Sequence, residues 1–127
     1  MAITLDATPK SATANTYATL AEAETYHEGH VDASGVWAGA TDGEKNIALA
    51  MATRLLDAKY AWEGYATDED QILQWPRTGL WDYIEVNLVD ADTYPLQLKQ
   101  ATSEQARLLL GSDTTADLAQ SVQGLTA

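Results

Sequence analysis

The chain has 127 residues, a formal charge of −12 from 19 acidic and 7 basic side chains, and 46% apolar content. That length supports one domain with a modest core, the lack of cysteine excludes disulfides and thiolate metal sites, and no run of about 18 apolar residues is available to span a membrane. The cations Lys10, Lys45, Arg54, Lys59, Arg77, Lys99 and Arg107 stand singly, which argues against tight nucleic-acid binding, since that works by neutralising phosphates.

Alanine and leucine dominate the apolar set and favour helices. Phenylalanine is absent, so the bulky core material is aliphatic residues, four Trp and six Tyr. Residues 1–15 are small, polar and unpatterned, and read as an N-terminal tail. Asp6 and Lys10 interrupt any apolar run of the kind a signal peptide uses. Thr19 and Glu22 form a capping box that opens a helix over Leu20–Glu28, ended by Gly29. Residues 31–45 form a loop from which Trp37 plugs the core. Thr41 and Glu44 form a second box. It opens the longest helix, Asp42–Tyr60, with a stripe at Ile47, Met51, Leu55, Ala58 and Trp62. Ala48, Ala52 and Leu56 widen that stripe, and the small alanines allow close helix approach.

Gly64–Asp70 reads as a turn, and Thr67 or Asp68 is placed to cap a short helical turn through Leu73. Pro76 pushes Trp75 out of the helical region. Residues 78–94 alternate in part and read as an extended arm or short hairpin. Pro95 suits the first turn of a last helix running to about Leu110. Its inner face is expected at Leu98, Ala101, Gln105, Leu108 and Leu109, and Gly111 serves as its C-cap. In residues 112–127, Leu118, Val122 and Leu125 form a marginal amphipathic stripe, too short to be stable alone. The fold class is therefore mainly α. It is a small bundle of three to four helices (16–111) with an arm or hairpin before the last helix, an N-terminal tail (1–15) and a C-terminal tail (112–127).

Catalytic chemistry is hard to find. Glu24, His27, Glu28 and His30 offer metal-ligand types within about one helical turn, but nothing else points to them, and surface histidines among glutamates are common. Asp68, Glu69 and Asp70 are consecutive, so their side chains diverge. No phosphate loop or nucleophile elbow occurs. No enzyme activity, metal or cofactor is expected. Trp62, Trp75 and Trp81 could stack on single-stranded bases, yet they are interleaved with acids rather than set in a positive groove.

The stretch DQILQWPRTGLWD (residues 70–82) puts Trp75, Pro76 and Arg77 side by side. Its expected role is a structural clamp of Trp75, Pro76, Arg77 and Trp62. Trp75 packs on the Ile47–Trp62 stripe, and Arg77 pairs with an acid, Asp57 or Asp82.

Three blocks in order resemble the head–tail connector (adaptor) proteins of tailed bacteriophages. They are ANTYATLAEAETYHEGH, NIALAMATRLLDAKYAWEGYATDEDQILQWPRTGLWD and YPLQLKQATSEQARLLL. The resemblance spans about residues 14–110. It departs from the pattern at LWDYIEVNLVDADTY and at QATSEQA. It implies a homo-oligomeric ring, usually a dodecamer, below the portal protein at the head–tail junction of the virion. It also implies a stopper or tail-completion protein as a further partner, and DNA passing through the lumen without sequence-specific binding. Residues Leu118, Val122 and Leu125 would then dock on the portal. Members of that group are sometimes labelled DnaT-like single-strand-binding proteins. The acidic balance argues against that label, which leaves single-stranded-DNA binding as the alternative function.

Overall fold

The computed structural model describes residues 3–32, 35–82 and 87–111, with backbone alone at 81–82 and 87–88. Both capping boxes form. The Thr19 hydroxyl accepts from the Glu22 N–H while the Glu22 carboxylate accepts from the Thr19 N–H, which opens helix α1 at Leu20–Glu28. Thr41 and Glu44 repeat the arrangement for α2, Asp42–Lys59. Helix α3, Leu96–Gly111, starts directly after Pro95. Among the described residues, four two-residue strands lie between α2 and α3. Strand β1 (Tyr65–Ala66) pairs antiparallel with β2 (Arg77–Thr78), and β3 (Trp81–Asp82) with β4 (Asn87–Leu88). The chain is thus a mainly helical small bundle with a short hairpin before its last helix.

Helices α1 and α2 both pack on α3. The first core cluster joins Ala18, Ala23, Trp37, Ala48, Leu49, Ala52, Ala106 and Leu109. Trp37 enters it from the loop at 2% exposure. The inward face of α2 differs from the expected stripe. Lys45, Ala48, Leu49, Ala52, Thr53 and Leu56 are buried, whereas Ile47 is 44% exposed. The physical reason is backbone approach: alanines on three helices meet in this cluster, and Met51 and Leu55 pack at its edge. Trp62 lies beyond the helix, because Tyr60 already has extended backbone. On α3 the buried set is Leu98, Thr102, Ser103, Ala106 and Leu109. Ala101 and Leu108, expected inside, are exposed, and Gln105 is half-buried. The hydroxyls of Thr102 and Ser103 donate to the carbonyls of Leu98 and Lys99, so the helix satisfies its own buried polar groups.

Lys45 enters the core with a partner. Its Nζ lies 2.7 Å from Glu24 Oε1 and 5.2 Å from the centre of the Trp37 ring. Residues 3–15, expected as a tail, are held to the body. The Asp6 carboxylate accepts from the Thr13 hydroxyl and the Thr8 N–H, which lower its pKa to about 2. The Tyr94 hydroxyl donates to the Thr8 carbonyl, Lys10 pairs with Asp92 at 3.0 Å, and Ala14 is buried. The stripe at Leu118, Val122 and Leu125 lies outside the described residues.

Candidate nucleic-acid interface

The second core cluster contains Ala14, Tyr17, Leu73, Trp75, Tyr94 and Leu98, with Trp62 and Leu80 packed against it. Trp75 is 8% exposed and meets Trp62 edge-on at 5.5 Å between ring centres. Its backbone N–H donates to the Tyr17 hydroxyl, which in turn donates to Asp57 Oδ1 at 2.5 Å. The Gln74 N–H donates to the other Asp57 oxygen. Burial raises the Asp57 carboxyl above the ordinary range, and these hydrogen bonds oppose the rise. Trp75 therefore packs on Trp62 and on the aromatic cluster around Tyr17, not on an Ile47 stripe. The Trp75–Pro76 peptide is cis, and Pro76 is fully buried.

Arg77 corrects a second expectation. Among the described residues it forms no ion pair, with Asp57 or any other acid, and the Asp82 side chain lies outside them. Its Nε donates to the Glu63 carbonyl at 2.7 Å and its Nη1 to the carbonyl and side-chain oxygen of Gln74. Its Nη2 donates to the carbonyls of Gly64, at 2.9 Å, and Trp62, at 3.4 Å. A guanidinium has five N–H donors, and five acceptors surround this one. Arg77 is 7% exposed, so no donor remains for a phosphate. Three of the carbonyls it gathers, those of Trp62, Glu63 and Gly64, belong to the turn after α2, and Arg77 thereby fixes the path of residues 62–64. Gly64 makes that path possible. Its φ is +73°, and a Cβ there would lie 2.5 Å from the Thr78 carbonyl oxygen.

Two rings stand out from the clamped turn. Tyr60 is 48% exposed and Tyr65 is 67% exposed. Tyr60 lies 5.5 Å from the half-buried Trp62, ring centre to ring centre, and Lys59 Nζ sits 5.6 Å from the Tyr60 ring centre. Tyr65, in β1, lies beside Gly79 of the turn after β2, whose φ is +86°. The segment KYAWEGY, Lys59–Tyr65, thus presents aromatic faces beside one cation on a fixed backbone. Glu63, Asp68, Glu69 and Asp70 are exposed nearby in sequence.

The stacking set expected from sequence is therefore redistributed. Trp75 is buried and unavailable to a ligand, Trp62 is half-buried, and the Trp81 side chain lies outside the described residues. Tyr60 and Tyr65 were missed. Aromatics at alternating and odd spacing just after a helix end were the available signal. The metal-ligand candidates are otherwise engaged. Glu24 accepts from Lys45 and from Trp37 Nε1, His27 Nε2 bonds the Ser103 carbonyl, and His30 Nδ1 bonds the Tyr26 carbonyl. Glu28 is exposed. Among the described residues no three His, Cys, Asp or Glu side chains gather as a metal set.

The family model described as "Putative DnaT-like ssDNA binding protein" matches residues 1–124. No curated protein and no solved structure matches the chain. The family match overturns the resemblance to phage head–tail connectors and, with it, the portal-bound ring in a virion. A whole-chain charge of −12 sums over all faces, whereas a binding strand meets only one.

Proposed function

The chain belongs to the DnaT-like ssDNA-binding family, and we propose that it binds single-stranded DNA by stacking bases on the Tyr60–Tyr65 ridge. One observation carries this reading: two tyrosines at 48% and 67% exposure rise from a turn whose backbone Arg77 holds. Stacking needs a rigid π-face open to solvent, and it accepts every base. The electrostatic half of the interaction is small. Lys59 flanks the ridge, Arg54 is exposed one turn earlier on α2, and Arg77 is fully occupied. Binding by this route is driven by stacking, opposed by the surrounding acids, and strongest at low salt.

The test is fluorescence anisotropy of a labelled oligothymidylate at low ionic strength. Alanine in place of a stacking aromatic costs about 1–3 kcal/mol per base, so Tyr60→Ala and Tyr65→Ala should each weaken binding by about 5- to 150-fold. Both rings are exposed, so melting temperatures should stay near wild type. A double variant that binds like the parent chain would overturn the reading.

A further inference from the structure

A groove of about 490 Å³ lies between α1 and the first turns of α3, apart from the ridge. That volume falls within the usual range for small-molecule sites, about 300–1,000 Å³. Its wall is largely apolar. Ala21 and Gly29 add no bulk, and Leu96 at the mouth is left 63% exposed. One end carries two stacked rings, Tyr26 and His30, with centres 3.9 Å apart and planes 18° off parallel. One hydrogen position on His30 follows from its partner. Nδ1 lies 2.6 Å from the Tyr26 carbonyl oxygen, which only accepts, so Nδ1 carries a hydrogen. Lys99 and Glu22 line the same groove, Nζ to Oε2 at 2.6 Å, and Gln100 lines it too.

This chemistry selects against a phosphate and for a base. The Glu22 carboxylate cancels the Lys99 charge that a phosphate would need. An ammonium has three donors, and each carboxylate oxygen has two acceptor sites, so the pair can bond outward while bonded to each other. It offers a donor beside an acceptor, the complement of a nucleobase edge. We infer that the α1–α3 groove receives one nucleobase turned out of a bound single strand, read by Lys99, Glu22 and Gln100 at its edge. Extruded bases are held in this manner elsewhere, by edge hydrogen bonds and flanking rings. The inference rests on the single-strand reading and adds a second, base-reading contact to it.

The experiment follows backbone amide signals of the full chain by NMR, titrated first with deoxycytidine and then with an eight-nucleotide oligodeoxycytidylate. The groove predicts saturable shifts at Glu22, Thr25, His30, Lys99 and Gln100 with both ligands. Lys99→Gln and Gln100→Ala should weaken nucleoside binding several-fold. Thr25→Trp, which fills the groove from an exposed position, should abolish it without touching the ridge. If the oligonucleotide shifts residues 59–66 and leaves the groove unmoved, the base site is wrong and the single-strand reading stands. If it shifts neither, both fall. Should the three variants leave nucleoside affinity unchanged, the groove is likewise eliminated.

Discussion

Arg77→Ala is the perturbation that bears most on how the ridge is built. The guanidinium makes five hydrogen bonds to neutral oxygens, two of them at 2.7 and 2.9 Å. A hydrogen bond to a charged group is worth about 1.5–3 kcal/mol net. The sum does not apply in full, because the buried guanidinium also forfeits its hydration. Glu63, Gly64 and Gln74 are exposed, so water recovers part of what their carbonyls lose. The two short bonds, discounted in this way, place the loss at about 3 kcal/mol. For a domain of this size that corresponds to a melting-temperature drop of about 10–15 °C. Urea denaturation of Arg77→Ala and Arg77→Lys measures it. Lysine keeps the charge but not the planar fork, so it should restore less than half of the loss. Stability equal to wild type in Arg77→Ala would refute the clamp, and full rescue by lysine would refute the role given to the fork.

Trp75→Ala should cost about 3–5 kcal/mol in the same assay, as truncated core aromatics do, because Trp75 is 8% exposed and packs on Trp62. Gly64→Ala should destabilise by about 1–3 kcal/mol from its positive φ alone, more from the 2.5 Å approach to the Thr78 carbonyl oxygen; thermal melts decide it. His27 sets a pH dependence. Burial lowers its pKa below the ordinary 6.5, so the unfolded chain takes up the proton first, and stability is lost as pH falls from about 6.5 towards the folded value. Urea midpoints between pH 7.5 and 5.5 should fall for wild type and fall less for His27→Gln; parallel pH profiles would remove His27 as the cause.

Capping made the helices legible. Thr19 with Glu22 and Thr41 with Glu44 are local signals, and the structure realises both boxes. The hairpin before α3 was visible as partial alternation. Which side of α2 faces inward was less legible. Hydrophobicity alone favours Ile47 over Ala48, whereas close helix contact favours the alanine. The break from helix at Trp75–Arg77 was legible, because bulky aromatics beside a proline cannot continue a helix. The bonding there was not. An arginine in an acidic chain suggests a carboxylate partner, but a turn with several inward carbonyls satisfies a guanidinium equally well. The ridge escaped notice for a related reason. Tryptophans drew attention as stacking groups, while among the described residues the exposed large aromatic rings are Tyr60 and Tyr65.

The most direct test compares single-stranded and duplex DNA across a salt series with the unmodified chain. Stacking on the ridge, with only Lys59 and Arg54 available for phosphates, predicts measurable binding to an oligothymidylate. It also predicts much weaker binding to duplex, whose bases are already stacked. The slope of log affinity against log salt should be no steeper than about −1.5. Equal affinity for duplex, or no single-strand binding at the lowest salt, would contradict the account.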